Sequence, residues 1–171
     1  MVTNFYKDLK KAKVGEAITL DVLRNSTLDY DFNDVSEEEE YRYLGDIEAV
    51  NDWNERKYLD VKMDSRIAET GNILCEYKVY FKDTGTYAKG NMQSNYDYLA
   101  IISVEAKKIW IIDFPLLKKH YKEGKPYTKD HGEQITYGTL FSLNKARKYN
   151  MVVAEITYNE DHYPIEIKTA A

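Results

Sequence analysis

The chain has 171 residues, 43% of them hydrophobic, and a formal net charge of -5. This length suits one domain with a buried core, and no apolar run approaches the roughly 20 residues that cross a bilayer, which excludes a membrane-spanning protein. The negative charge argues against a protein that coats nucleic acid by charge alone, but it is compatible with a protein that has a local basic groove.

The start of the chain and its cysteine content indicate the cellular compartment. A secretory signal has a basic region followed by an apolar core, and the first residues do not show this pattern. The single cysteine, Cys75, rules out an internal disulfide and a zinc site built from several cysteines. We therefore expect a cytoplasmic protein.

The N-terminal part is predicted to be helical and then irregular. Asn4 is a candidate cap, and the helical pattern of residues 14–24 is either a second helix or a continuation past Gly15. Glu16 shares a stripe with two leucines, so it is either a functional carboxylate or an exposed acid favoured by the start of a helix. Residues 25–40 are acidic and lack a period, which predicts a surface loop.

Strand patterns dominate the rest of the chain. Asp113 and Pro115 predict a helix that ends at Gly124, whereas residues 82–93 and the polar segment after Lys125 are predicted as loops. The strands form a mixed sheet in this interpretation, and the runs near residue 100 have the continuous apolar character of strands buried on both sides. Strands are predicted at residues 43–50, 57–63, 73–81, 98–104 and 108–112, with shorter ones at 140–143 and 151–157.

One predicted strand has a charged face. Apolar and ionisable side chains alternate along residues 57–63 and beyond, so an extended chain places Asp60, Lys62 and Asp64 on the same side. Turn-forming residues separate this strand from the one before it, which favours an antiparallel pair. That pairing would bring Asp46 towards Asp60 and Lys62.

These residues carry a resemblance to a known superfamily. The order Gly45 and Asp46, then Asp60, Val61 and Lys62, then a Thr-Gly-Asn turn, resembles the PD-(D/E)XK nucleases, in particular small phage and bacterial members. The similarity covers about residues 14–113 and includes Gly15 and Glu16 as a helix start. There are two departures: Gly45 stands where a proline is usual, and Asp60 stands where glutamate is commoner.

The resemblance implies an α/β fold with a restriction-endonuclease-like core, in which helices flank a mixed central sheet. It implies a single domain, with a core of about residues 14–122 and a C-terminal extension of residues 123–171. The implied activity is a magnesium-dependent DNA endonuclease that hydrolyses phosphodiester bonds and is structure-specific. If the chain is phage-encoded, its location is the host cytoplasm.

The implied site has a chemical logic. Crowded carboxylates repel one another unless a hard cation lies between them, and Mg²⁺ prefers oxygen ligands. By the resemblance, Asp46, Asp60, the Val61 carbonyl and Glu16 hold Mg²⁺, for which Mn²⁺ substitutes. Lys62 then orients the attacking water and stabilises charge, because nearby carboxylates keep a lysine protonated.

Several alternatives stay open at this stage. Asp64 and Glu76 are second-rank candidates, more typical of supporting residues than of ligands. Asp46, Asp60 and Lys62 also fit a solvated sheet face with cross-strand ion pairs. A catalytically silent protein of the same fold, binding nucleic acid or a protein partner, is the second functional hypothesis. A homodimer would suit the cutting of both DNA strands, but no dimer seam is identifiable.

Overall fold

The structure, a computed structural model, describes residues 2–170, with side chains described from Leu9 onward. Within this range the chain forms four helices and eleven strands. The helices are α1 (Val2–Arg24), α2 (Ile67–Thr70), α3 (Phe114–His120) and α4 (Leu143–Lys148). The strands are β1 (Asp31–Asp34), β2 (Ile47–Val50), β3 (Arg56–Met63), β4 (Asn72–Phe81), β5 (Thr86–Lys89), β6 (Tyr98–Ser103), β7 (Lys108–Asp113), β8 (Lys125–Asp130), β9 (Gln134–Ser142), β10 (Val152–Tyr158) and β11 (Pro164–Thr169).

The strands form two sheets, which confirms a mixed α/β protein but not a single sheet. The larger, seven-stranded sheet has the order β1-β2-β3-β6-β7-β10-β11, and only the β3–β6 pair within it is parallel. The smaller, four-stranded sheet is antiparallel, in the order β5-β4-β9-β8. The prediction that β4 continues the central sheet was therefore wrong, because β4 pairs with β5 and β9.

Strands from both sides of residue 122 pair with one another. β4 pairs with β9 in the smaller sheet, and β7 pairs with β10 in the larger one. The first of these ladders contains a bulge between Glu76 and Lys78, which breaks the alternation of side chains predicted for residues 73–81.

The N-terminal helix differs from its prediction in both start and length. α1 begins at Val2 and continues through Gly15, so Asn4 is not its cap and Glu16 lies in its interior, half-buried, rather than at an exposed helix start. A Cβ on Gly15 would lie 3.3 Å from the Cβ of Met63 and 3.4 Å from Cγ2 of Ile102. The helix therefore lies close against the sheet at the turn that carries Glu16.

Two apolar clusters cover the two faces of the larger sheet. α1 contributes Leu20 and Leu23 to one cluster, where they pack with Leu59 and Val61 of β3. The other cluster joins Leu99 and similar side chains of the larger sheet to β4, β9, α3 and α4. Since β3 alternates, its ionisable residues face away from α1, as its sequence pattern predicted.

Local signals explain several element ends. The Asp113 carboxylate accepts the Leu116 N–H at 3.0 Å and caps α3, as predicted. Four strands were missed: β1, β5, β8 and β11. The first three are mostly polar and lack an apolar alternation, whereas β11 alternates Ile165 and Ile167 over only six residues. No helix within residues 2–170 is long and apolar enough to cross a membrane.

Candidate functional site

Asp46 lies immediately before β2 and extends the hydrogen bonding between β2 and β3. The Asp46 N–H donates to the Leu59 carbonyl at 2.8 Å, and Asp46 Oδ2 accepts the Val61 N–H at 2.9 Å. The side chain thus satisfies the first donor of β3 beyond the end of the β2 ladder. Within β3, a residue's N–H and carbonyl point to the same side, so the Val61 carbonyl also points towards Asp46.

Gly45 explains how the chain reaches this position. Its φ is 148°, and a Cβ at this residue would lie 2.6 Å from the Leu59 carbonyl oxygen. A proline, whose φ is held near −65°, cannot occupy this backbone conformation. The departure from the proline of the superfamily pattern therefore has a local conformational cause.

Asp60 lies close to Asp46, just beyond the β2–β3 pairing. The ladder ends at Ile47 and Leu59, and the Asp60 charge acts on Asp46 and raises the pKa of that carboxyl. The Asp60 side chain is 18% exposed, and its Oδ2 atom is buried without a hydrogen-bond partner among the described residues. Because a buried carboxylate oxygen without a hydrogen bond is costly, this atom is suited to accept a donor or to bind a cation.

Lys62 accompanies Asp60 on the same face of β3. Its Nζ atom lies 3.4 Å from Asp60 Oδ2, an ion pair that lacks hydrogen-bond geometry. Burial opposes the charged form of Lys62, but the carboxylates of Asp60, Asp46 and Glu76 outweigh it and raise the pKa of this lysine. Lys62 is therefore a cation near neutral pH.

The pKa of Asp46 is the most perturbed of the predicted site residues. Burial and the Asp60 carboxylate raise this pKa to about 7, with a smaller contribution from Glu16. The Val61 N–H and Lys62 act in the opposite direction. The negative charge of Asp60 thus disfavours ionisation of Asp46, as a like charge in a confined site does.

Glu16, which belongs to α1, lies near the carboxyl groups of Asp46 and Asp60. Burial raises the pKa of this glutamate, Lys13 lowers it, and the charges of Asp34 and Asp60 raise it further. The structure therefore brings Glu16 within electrostatic range of Asp60 and Asp46, although β1 and its following turn also surround it.

The two second-rank residues lie near the site but have different surroundings. Asp64 follows β3 and accepts the N–H groups of Arg66 and Ile67 at 2.8 and 3.2 Å, so its Oδ1 atom holds the start of α2. Glu76 belongs to β4 in the smaller sheet, and its charge contributes to the raised pKa of Lys62. Only Glu76 thus brings a carboxylate from the second sheet.

Two further residues of the site were missed from the sequence. Tyr96 is buried beside Asp60, and its hydroxyl has no hydrogen-bond partner in the described structure. Burial and the Asp60 charge raise its pKa, so the hydroxyl stays protonated and able to donate. Asn91 accepts the Glu76 N–H through its side-chain oxygen at 2.9 Å. Both residues lie between strands, where no periodic signal distinguishes them.

Two open pockets meet at this cluster. One, of about 330 Å³, is lined by Asp60, Tyr96 and Lys89, and the other, of about 410 Å³, extends along α2 and β8. Lys62, Glu76 and Asn91 line both pockets. The cleft between the two sheets therefore exposes the β3 carboxylate face to a ligand.

The residues present suit a hard cation with few protein ligands. Among the side chains that the structure describes, residues 9–170, no group of three or more His, Cys, Asp or Glu is arranged to hold a metal ion. Mg²⁺ nevertheless binds through one or two carboxylates together with water and substrate phosphates. The Oδ2 atom of Asp60, which lacks a hydrogen bond among the described residues, and the nearby carboxyl of Asp46 offer oxygen donors of that kind.

Comparisons with known proteins found no similar protein. No family model matches the chain, and neither the curated proteins nor the solved structures contain a significant match. The function is therefore inferred from the geometry of the cluster formed by Asp46, Asp60, Lys62 and Glu16.

Proposed function

We propose that the protein is a magnesium-dependent endonuclease that hydrolyses phosphodiester bonds in DNA, with a restriction-endonuclease-like core. The observation that carries the proposal is the buried Oδ2 of Asp60, which has no hydrogen-bond partner among the described residues and lies near the Asp46 carboxyl and beside the Lys62 cation. Buried carboxylates with perturbed pKa values and a cation in an open cleft are typical of catalytic sites.

Each carboxylate has a role in this proposal. Asp46 and Asp60 hold the cation directly, and the Val61 carbonyl adds a neutral oxygen from the same side of β3 as Asp46. Glu16 orients water bound near the pair from the α1 side. When bound, magnesium or manganese polarises the scissile phosphate and lowers the pKa of a coordinated water.

Lys62 acts by position and charge rather than as a base. Its raised pKa keeps it protonated, so its Nζ donates to the attacking water or to a non-bridging phosphate oxygen. The water oxygen forms a new bond to phosphorus and loses a proton to solvent, while the bond to the leaving sugar oxygen breaks and that oxygen takes up a proton from solvent. Positive charge beside the phosphate favours this step, because negative charge accumulates on its oxygens.

The first test is a cleavage assay with linear, branched and single-stranded DNAs in Mg²⁺ or Mn²⁺. The wild-type protein should cleave at least one substrate, and Lys62→Ala should lower the rate by about 100-fold or more, the scale of losing one stabilising donor. In calorimetry Asp60→Ala should abolish divalent-metal binding, whereas Lys62→Ala should retain it. Lys57→Ala, an exposed lysine on the same strand, is the matched control.

The outcomes separate the two functional hypotheses. Metal-dependent cleavage that is lost in Lys62→Ala but kept in Lys57→Ala supports the nuclease. Metal or DNA binding without cleavage of any substrate supports a catalytically silent protein of this fold instead. Unchanged metal affinity in Asp60→Ala would remove Asp60 as a ligand.

A further inference from the structure

The larger pocket beside the site has an apolar floor and a cationic rim. Tyr127 of β8 lines one wall, and Arg66, Lys129 and His131 line the rim. The floor consists of leucine and isoleucine side chains from both sheets: Leu74, Leu99, Ile101 and Leu140. The pocket has a volume of about 410 Å³, which lies within the size range that accommodates a small organic group.

The rim cations are available to a ligand. Among the described side chains, neither the Arg66 guanidinium nor the Lys129 ammonium group takes part in an ion pair or a hydrogen bond. Asp64, which also lines the pocket, accepts backbone N–H groups through Oδ1, and the charge of Glu76 acts on Lys62. With Lys62, the pocket lining carries three basic side chains against the two carboxylates of Asp64 and Glu76, a small positive excess in a chain whose net charge is -5.

We propose that this pocket binds one unpaired nucleotide of a DNA strand that runs into the cleft. Its base lies on the apolar floor against the Tyr127 ring, and Arg66 and Lys129 bind the flanking phosphates. Lys62 lines both this pocket and the smaller one beside Asp60, so the strand leaves the nucleotide pocket at the proposed reaction centre. The inference deepens the proposed nuclease function by naming its substrate class.

The chemistry favours an unpaired base over duplex DNA. A base inside a duplex is stacked on both sides, and its insertion into a pocket requires unstacking and unpairing, which cost a few kcal/mol. Duplex binding through phosphates alone needs only an open basic surface and gains nothing from an apolar floor. A tyrosine beside that floor suits a single strand, because each exposed base presents a π-face.

The test is fluorescence anisotropy in EDTA with a short single-stranded DNA and the duplex of the same sequence, so that binding is measured without metal or cleavage. Single strands should bind at least roughly 10-fold more tightly than duplex, and Tyr127→Leu should weaken that binding by roughly 5- to 100-fold, the range of one stacked base. Tyr127→Phe should retain it. The control Tyr87→Leu changes a tyrosine that is 60% exposed and lines neither pocket.

Salt dependence tests the rim. Arg66→Ala and Lys129→Ala should each reduce the slope of log affinity against log salt by about 0.7, the value for one phosphate contact on a single strand. Lys57→Ala should leave the slope unchanged. Circular dichroism of every variant checks that the fold is retained.

The results distinguish this inference from the proposed function. Tighter duplex binding, no binding of either DNA, or equal losses in Tyr127→Leu and Tyr87→Leu would overturn the nucleotide pocket. Tyr127-dependent binding of single strands supports it even if no substrate is cleaved, in which case the nuclease proposal fails alone. Cleavage that is independent of Tyr127 leaves the nuclease and removes the pocket.

Discussion

Asp46 combines a structural hydrogen bond with an electrostatic cost. Its carboxylate completes the β3 ladder by accepting the Val61 N–H, while burial and the neighbouring Asp60 disfavour its charged form. The charged form of Asp46 lowers the stability of the folded protein but is suited to binding a cation. This position is therefore not optimised for stability alone. The same residue therefore offers a test that does not need a substrate.

Asp46→Asn should make the protein more stable at pH 8 and leave stability at pH 4 almost unchanged. The folded pKa of about 7 exceeds the unfolded value, so between about pH 4 and 7 the unfolded chain loses a proton that the folded protein retains. The free energy of unfolding therefore falls as pH rises through this window, and asparagine removes that dependence. We expect a gain on the order of 2 kcal/mol at pH 8, measured by urea unfolding.

Added Mg²⁺ provides the control for this prediction. A cation between Asp46 and Asp60 would favour both ionised carboxylates, so Mg²⁺ should stabilise the wild-type protein at pH 8 and not Asp46→Asn. A variant that is less stable than wild type at pH 8 without metal would show that the lost charge had been stabilising.

At the scale of elements, the approach of α1 to the larger sheet sets the position of Glu16. Gly15 packs so close to Met63 and Ile102 that even a Cβ would make tight contacts with them, at 3.3 and 3.4 Å. Glu16 follows on the same turn, and the Asp60 charge of β3 acts on it. The packing of α1 against the sheet therefore determines whether Glu16 lies near the site.

Gly15→Leu should separate α1 from β3 and destabilise the protein by about 1–3 kcal/mol, the usual cost of overpacking. Ala17→Leu is the matched control, because Ala17 is exposed on the same helix and its substitution should change stability by less than about 0.5 kcal/mol. Thermal unfolding of both variants measures the difference. Equal melting temperatures would mean that α1 tolerates displacement from the sheet.

At the scale of the whole molecule, the cleft exists because two sheets meet. The larger sheet contributes Asp60 and Lys62, and the smaller sheet contributes Glu76 and Tyr127. The smaller sheet depends on the last third of the chain, since β8 and β9 follow residue 122. The pocket is therefore a product of long-range pairing.

Truncation after residue 122 should abolish cooperative folding. It removes Phe141, Met151 and Ile156, which are all 0% exposed. Side chains of this size each contribute about 2–5 kcal/mol, so together they account for a large part of the roughly 5–15 kcal/mol stability of a domain. Circular dichroism melts should show no sharp transition.

A shorter truncation provides the control. Removing residues 164–171 deletes the mostly exposed edge strand β11, and a cooperative transition should persist. A sharp transition in the variant truncated after residue 122 would show that the remaining residues fold without their partner strands.

Local pattern was sufficient for the elements that contain strong signals. The alternation in β3, the apolar runs of β6 and β7, and the Asp113 cap of α3 were all predicted, because each depends on neighbouring residues. The antiparallel β2–β3 pair was predicted for the same reason, since a short turn joins its strands. These signals also placed Asp46 near Asp60 and Lys62.

Tertiary structure decided the division into two sheets and the identity of the cleft walls. Nothing local distinguishes β4 as a partner of β9 rather than β3, and the polar strand β8 is ordered by pairing instead of by burying its own side chains. Tyr96 likewise reaches Asp60 from a segment without periodicity. Contacts between residues far apart in the chain depend on how whole elements pack, and a pattern read along one segment does not contain that information.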